Sequence, residues 1–568
     1  MRTLKSNNEL KSGLQASRGV FMHLGAFSFF LNLLALTGPL YMLQVYDRVL
    51  MSQSIPTLVA LTGLVVILYA TQFVLEWVRS NLFDAASSRF EEELGDRAVD
   101  AAMQSSLLHP GKGSERPLKD LRTLRRFFAG PAIKLVFDAP WAPIFLGVLF
   151  LLHPYFGLWA VFGAVVLIVL GLVNQSASSR LMQETEQMER VSNMRAIEVV
   201  QNAEVIDAMG MREPLRKRWR EAFDGSDNAL AGSGRILSGF TSGTKAFRMF
   251  LQSAILGLGA YLAVQGVSTP GAMIAASIIM GRAIAPIEQL VGQWRSVVSA
   301  RDAWSSLLAF LKETPEGSEA MDLPPLRGFV SLENVYAAPP GMQKAVLKNI
   351  SFKLEPGDVL GILGPSAAGK STLARVLTGI WKPASGDVRV DGADMATFPR
   401  HALGPQIGYL PQQSDLLSGT IRENISRFAP NASPEAIIEA AKAANCHELI
   451  LRQSDGYDTE IGHGGAFLSA GQRQRVGLAR AIYGNPNIVI LDEPNSNLDA
   501  PGDQALQFAI KGLKERNATT LIIAHRPNAI AHCNKLLVLD EGTIKLFGPR
   551  DEVLEKIMPD SSKVRQIR

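Results

Sequence analysis

The spacing of hydrophobic positions divides the chain before any motif is considered. Residues 20–300 carry long apolar runs, whereas residues 330–550 alternate short apolar stretches with polar, helix-like ones. Six runs lie near 20–43, 56–78, 132–152, 155–173, 247–266 and 270–292. Each approaches or exceeds the ~20 residues that cross ~30 Å of hydrocarbon at ~1.5 Å per residue. The pattern predicts a membrane all-α domain of six helices over 1–311. The third run is the least regular, because Lys134 and Asp138 interrupt its beginning. Only His153-Pro154 separates the third and fourth, and "GVSTP" the last two, so these connections are tight turns on one side of the bilayer.

The other side receives two long segments, 79–131 and 174–246, rich in arginine: Arg122, Arg125 and Arg126, and "REPLRKRWR" at 212–220. Positive charge marks the cytoplasmic side. Both termini and both long segments are therefore expected inside, and the short turns and the 46–55 connection outside. The helical periodicity of "LKDLRTLRRFF" predicts that the spans continue as helices into the cytoplasm and turn back there. Such segments are either solvated amphipathic surfaces or docking elements for the soluble half. The candidate docking segments are 114–126 and 203–212. At the amino end, Arg2, Lys5, Lys11 and Arg18 precede the run from Val20 to Leu43, as in a secretory signal. That run is long enough to span, shows no Ala-x-Ala site and leads into further spans, so a retained helix is expected.

Residues 312–328, "KETPEGSEAMDLPPLRG", are charged, aperiodic and proline-bearing, and read as a linker. Beyond them "FVSLENV", "DVLGILG", "IGYL", "NIVILD", "TTLIIAH" and "KLLVLD" read as strands separated by helical stretches. That alternation predicts an α/β domain with a substantially parallel sheet over 329–555, followed by a tail at 556–568. A net charge of +4 on 568 residues gives no support for a nucleic-acid partner. Two cysteines, Cys446 and Cys533, make no disulfide framework and suit a reducing compartment.

The chemistry concentrates in the α/β half. Gly364-Pro365-Ser366-Ala367-Ala368-Gly369-Lys370-Ser371, followed by Thr372, matches a phosphate-binding loop, with a strand before it and a helix after. Its glycines let backbone N–H groups curl around phosphate oxygens, and the helix N-terminus adds favourable partial charge. Lys370 is expected to reach the β- and γ-phosphates of ATP, and Ser371 to ligate Mg²⁺. The apolar strand "NIVILDEP" presents Asp492 for the Mg²⁺ shell and Glu493 to orient and deprotonate the attacking water. A capping or salt-bridged carboxylate is the plainer alternative for Glu493. His525 ends another apolar strand and could contact the γ-phosphate, although a histidine there is usually structural. In the membrane half, Arg282 falls about twelve residues, or ~18 Å, into the last run. It lines a conduit, or else forms a structural ion pair or a snorkelling contact. Glu288 lies deeper, and Pro286 removes a backbone hydrogen bond where the helix could bend. Asp47 and Arg48 read as an interfacial pair at the outer end of the first run.

With Tyr336, Gln412, "LSAGQRQR" at 468–475, "SNLD" at 496–499 and His525, residues 329–550 resemble the nucleotide-binding domain of ATP-binding-cassette (ABC) transporters. The resemblance implies that Tyr336 stacks on adenine and that Gln412 links the metal and water to the membrane domain. It further implies that Ser469, Gly471 and Gln472 of the signature belong to the site of a second copy, with Ser469 and Gly471 touching the γ-phosphate bound there. Asp499 would communicate across that dimer. Ala470 departs from the commoner glycine, which costs little if its φ is negative. "TEIGHGG" at 459–465 resembles the family's exporter-specific loop, with His463 and Gly464 in place of its commoner Glu-Arg pair. One phosphate loop and one signature per chain then imply a homodimer.

"LTGPLYMLQVYDRVL" at 36–50, "FDAPWAPIFLGVLFLLHPYFG" at 137–157, "EVIDAMGM" at 204–211 and "LDEPNSNLD" at 491–499 resemble the ABC subunit of bacterial type I secretion systems, closest to metalloprotease and RTX-protein exporters. That resemblance implies a multi-pass protein of the inner membrane. It would export an unfolded protein bearing a C-terminal signal, together with a periplasmic adaptor (membrane fusion protein) and a TolC-like outer-membrane channel. Some relatives carry an amino-terminal cysteine-peptidase domain. Here no cysteine precedes Cys446, so leader cleavage is not expected. An exporter of lipids or small molecules would share every ATPase motif, and a non-transport membrane ATPase is the alternative of another class.

Overall fold

The computed structural model describes residues 18–109, 115–314, 324–342, 344–413, 415–496, 498, 500–524 and 530–557. The chain divides into two compact units, Met1–Ser105 with Gly113–Pro315, and Ser106–Lys112 with Glu316–Arg568.

In the first unit six helices are long and apolar enough to cross a membrane: Met22–Ser52, Ile55–Leu108, Pro131–Leu152, Pro154–Ser176, Arg212–Val264 and Pro270–Gly292. The helices Ile55–Leu108, Pro154–Gln201 and Arg212–Val264 contain 54, 48 and 53 residues. At ~1.5 Å per residue they reach ~70–80 Å, more than twice the hydrocarbon thickness. They continue well past the bilayer, as the periodicity of the long segments predicts. The tight turns are capped where the sequence breaks. His153 Nδ1 accepts from the Tyr155 N–H ahead of Pro154, and Thr269 Oγ1 accepts from the Ala272 N–H ahead of Pro270. Phe145, Leu149, Phe156, Leu167, Leu251, Ile255, Ile279, Met280 and Ile284 form the core of the bundle.

Polar residues in the spans find partners that their own segments do not reveal. Asp138 accepts from Arg79 Nη1 at 2.7 Å and from Asn32 Nδ2 at 3.2 Å, and Arg79 also donates to the Ser28 hydroxyl at 3.1 Å. The irregular start of the third span is therefore where it is tied to the first two. Asp47 does not serve as an interfacial partner of Arg48. Its carboxylate accepts from the Thr269 hydroxyl at 2.6 Å and the Gly271 N–H at 2.8 Å, which fastens the first apolar helix to the start of the last. Glu288 pairs with Arg248 at 2.6 Å, while Arg282 is exposed on the single chain. The last helix passes through Pro286 without ending.

Of the candidate docking segments, Ser114 lies outside the described residues. Glu115 precedes the helix Arg116–Ala129, on which the remainder of 114–126 falls and whose Leu121 and Leu124 are buried with Phe90, Leu94, Leu307 and Leu311. Its apolar face is thus occupied within the first unit. In 203–212 a short helix, Ala203–Ala208, joins two of the long ones and leaves Val205 and Met209 exposed.

The second unit holds two sheets. The strands are β1 (Val330–Ala337), β2 (Leu347–Leu354), β3 (Val359–Leu363), β4 (Ser385–Val390), β5 (Ala393–Asp394), β6 (Ile407–Leu410), β7 (Ile488–Asp492), β8 (Thr519–Ile523), β9 (Lys535–Asp540) and β10 (Thr543–Pro549). One sheet runs β2-β1-β4-β5 and is antiparallel. The other runs β10-β9-β3-β8-β7-β6, with parallel pairing from β9 to β6. Every residue of β7 and β8 is buried, as expected of parallel strands covered on both faces. Because these strands are parallel, β3, β8, β7 and β6 all end at one edge, where open α/β sheets bind their ligands.

Candidate functional site

At that edge β3 gives way to Gly364–Gly369 and then to the helix Lys370–Leu377. Gly364 has φ +156°, and a Cβ there would lie 2.1 Å from the Leu539 carbonyl oxygen, so no side chain fits. Ala367 occupies φ +64°, a conformation that L-residues avoid, and with Ser366 it forms the exposed rim of the loop. Lys370 is buried, and its Nζ donates to the carbonyls of Gly364 and Pro365, both at 2.8 Å. Burial pushes the Lys370 pKa down, while Glu493 and Asp492 oppose that shift. The ammonium thus sits in the mouth of the loop, with phosphate oxygens as the natural replacement for the two carbonyls. Ala368, Gly369 and Thr372 are buried beneath it and Ser371 is half-buried.

β7 ends at Asp492, which is buried beside the Ser371 hydroxyl. Burial raises its pKa, with the carboxylate of Glu493 adding to the shift and Ser371, Arg375 and Lys370 opposing it. Asp492 Oδ1 is buried without a hydrogen-bond partner. An orphaned carboxylate oxygen beside a serine hydroxyl at a phosphate loop is the donor set a magnesium ion requires, so these residues fit one. Glu493 follows in a left-handed conformation, φ +50°, with its N–H on the Ile523 carbonyl at 3.0 Å. Its Oε2 accepts from Gln412 Nε2 at 3.1 Å, which makes Glu493 a partner of the glutamine that follows β6. Strain of this kind at a strand end is characteristic of functional positions.

Tyr336 stands on β1 and is partly exposed. Its neighbour Ala337 pairs with Leu347, whose side chain lies against the Gly369 position. Ser469 caps the helix Ala470–Ile482: its hydroxyl accepts from the Gln472 N–H at 3.3 Å and its N–H donates to Gln472 Oε1 at 2.8 Å. Ala470 takes its place in that helix and is not among the positive-φ residues, so its methyl group is unstrained. Ser469 is exposed and Gly471 half-buried, and among the described residues no hydrogen bond joins either to the phosphate loop of the same chain. His525 and Asp499 lie outside the described residues. Sequence reasoning missed Gln474, which is buried and donates through Nε2 to the Glu493 carbonyl at 3.3 Å. Its place one turn into a capped helix was the available signal.

Comparison with known proteins agrees with this geometry. Residues 347–496 match the family model described as ABC transporter, and residues 21–286 match that for the ABC transporter transmembrane region. A type I secretion system ATP-binding protein, PrsD of Rhizobium meliloti (strain 1021), is 40% identical over 100% of this chain and 98% of its own length. The chain belongs to the ABC transporters, in their type I secretion branch. A leukotoxin export ATP-binding protein, LtxB of Aggregatibacter actinomycetemcomitans, is 29% identical over 95% of this chain and 77% of its own. The solved structure of a bacterial Atm1-family ABC exporter with ATP bound superposes with a TM-score of 0.83, covering 97% of this chain and 99% of that one, at 23% identity. The shared fold is the exporter arrangement, a membrane helical region followed by a nucleotide-binding domain. This ABC transporter is a multi-pass membrane protein that binds ATP and couples its hydrolysis to transport.

Proposed function

We propose that the chain is the inner-membrane ATPase of a type I secretion system and, as a homodimer, drives an unfolded protein out of the cytoplasm. The relatives named for type I secretion and leukotoxin export support a protein cargo of the protease or RTX type with a C-terminal signal. A periplasmic adaptor and a TolC-like outer-membrane channel would complete the path, with the termini and ATPase domain in the cytoplasm. The observation that carries the proposal is 40% identity along the whole length of a type I secretion ATP-binding protein.

In this mechanism Gly364 to Thr372 wrap the phosphates and Lys370 exchanges its two carbonyl partners for β- and γ-phosphate oxygens. Tyr336 stacks on the adenine. Ser371, Asp492 and Gln412 would hold Mg²⁺, which when bound neutralises charge between the β- and γ-phosphates. Glu493 takes the proton of the attacking water, held within reach by the short tether of its own backbone to β8. His525 would contact the γ-phosphate. Ser469, Gly471 and Gln472 of the second copy close the site, and Asp499 relays across it. Closure pulls on the long helices, and hydrolysis releases them.

The test is to delete the gene and compare proteins in the culture medium. A missing polypeptide that returns with this chain but not with its Lys370→Ala form supports the proposal. An unchanged set of secreted proteins, with altered lipid or drug flux, overturns it.

A further inference from the structure

Two arginine side chains, Arg427 and Arg480, bind the end of the signature helix Ala470–Ile482 to the segments on either side of Gln412, and the first is built at a cost in backbone strain. The short helix Ile421–Ile425 is followed by Arg427 at φ +56° and Phe428 at φ +57°, two consecutive non-glycine residues in the left-handed region. L-residues rarely adopt this conformation even singly, and it persists only where the surroundings over-determine it. What the turn achieves is the placement of the Arg427 guanidinium. Its Nε donates to the Arg480 carbonyl at 3.0 Å and Nη2 to the Ala481 carbonyl at 3.0 Å. Its Nη1 donates to the carbonyls of Gly404 at 2.9 Å and Ile407 at 3.3 Å.

The first two carbonyls belong to the last turn of the signature helix, where intrahelical donors run out and the helix dipole is negative. The other two flank the start of β6, whose far end leads to Gln412. The rigid, planar fork of arginine suits this bridging, which a single-point ammonium cannot reproduce. The backbones themselves touch here, since a Cβ on Gly408 would lie 2.2 Å from the Ala481 carbonyl oxygen. Beyond Gln412 a second tie returns, from Arg480 Nη2 to the Asp415 carbonyl at 3.1 Å.

We propose that Arg427 is a positioning residue that locks the foot of the signature helix to the strand that leads to Gln412, so that movement of the Gln412 segment swings Ser469. The proposal rests on the reading that Ser469 acts on nucleotide. The helix has 13 residues, hence a lever of ~20 Å, and a tilt of ~5° at its foot displaces Ser469 by ~1.7 Å. A misplacement of that size at a reacting phosphate is enough to change turnover by one to two orders of magnitude, roughly.

The test uses the full-length dimer in lipid nanodiscs with Arg427→Met, Arg427→Lys and a control, Leu513→Val, in the same domain core. ATP affinity is measured by equilibrium binding in a Glu493→Gln background, turnover by phosphate release, and coupling by hydrogen exchange of 407–410 and 470–474 on adding ATP. Arg427→Met is expected to keep ATP affinity within about twofold and lose at least ~10-fold in kcat. ATP-induced protection of 407–410 should then no longer be matched at 470–474. Arg427→Lys should recover part of the loss. Should the methionine variant not fold, Arg427→Gln carries the same measurements. The proposal is overturned if kcat falls no further than in Leu513→Val at an equal drop in thermal midpoint, or if both segments remain protected together. Loss of ATP affinity in Arg427→Met would also overturn it. Failure of the underlying reading shows separately, as Ser469→Ala with wild-type turnover while Arg427→Met still uncouples the two segments.

Discussion

Glu493→Gln isolates one chemical property of the site. The backbone of Glu493 is fixed independently of its charge: its N–H is on Ile523 at 3.0 Å and its carbonyl accepts from Gln474 at 3.3 Å. Glutamine is isosteric, and its amide oxygen can still accept from Gln412 Nε2, which now bonds Oε2 at 3.1 Å. The substitution therefore leaves the strained φ of +50° and the Gln412 contact in place and removes the basicity together with the negative charge. A positioned general base contributes about 10²–10⁴ in rate, or about 2.7–5.4 kcal/mol at about 1.36 kcal/mol per decade. We expect kcat to fall by that range while ATP affinity stays within about threefold, because the hydrogen bonds of Lys370 within the loop do not involve Glu493. The assay pairs steady-state phosphate release from the reconstituted dimer with equilibrium binding of labelled ATP. Glu493→Asp withdraws the carboxylate by one methylene and should fall between the two, since geometry rather than charge is lost. Turnover of Glu493→Gln at close to the wild-type rate would refute the base assignment.

Other consequences follow from buried charge, strain and burial. Removing Arg79 leaves Asp138 without its ion pair inside the bundle and should cost about 3–5 kcal/mol, whereas Arg79→Met with Asp138→Leu should recover most of it in a thermal double-mutant cycle. Ala367→Gly relieves a left-handed alanine and should raise the thermal midpoint or leave it unchanged, the relief of about 1 kcal/mol being partly offset by chain entropy. Asp120, outside the spans, has its pKa raised by burial from 3.8, against the opposing pull of Ser306 and Arg116. The folded state therefore holds its proton longer than the unfolded chain, and stability declines as pH rises through and above 3.8. Asp120→Asn should accordingly gain in thermal midpoint over wild type at pH 7 and progressively lose that advantage as pH falls towards 4. Burial pushes the thiols of Cys446 and Cys533 up to about 12, so neither should react with maleimide until the nucleotide-binding unit is unfolded; mass spectrometry of labelled native protein checks this.

The parts of the fold legible in the sequence are those whose physics is local. A span announces itself through length and apolarity. β3, β7 and β8 are buried on both faces and so read as unbroken apolar runs. The phosphate loop needs glycine where backbone meets backbone, as at Gly364 against Leu539, and that requirement leaves a recognisable spacing. The antiparallel sheet β2-β1-β4-β5 was largely invisible because its strands are half exposed and mix buried with solvated residues: β4 buries only Val388 and Val390.

What escaped depends on partners far away along the chain. Asp138 looked like a flaw in the third span because the residue that neutralises it stands 59 positions earlier, on another helix. Asp47 beside Arg48 suggested a local pair, yet its carboxylate is committed 222 and 224 positions later, to Thr269 and Gly271. Arg427 has the local appearance of a solvated charge after a capped helix, and only the fold brings four carbonyls around it. In each case the side chain answers a demand made by backbone or charge elsewhere: a buried arginine, the free N–H groups of a helix start, the free carbonyls of a helix end. Those demands are general, so a polar residue that looks misplaced in its own segment is best treated as half of a pair. The other half is to be sought wherever the fold leaves an end or a charge unsatisfied.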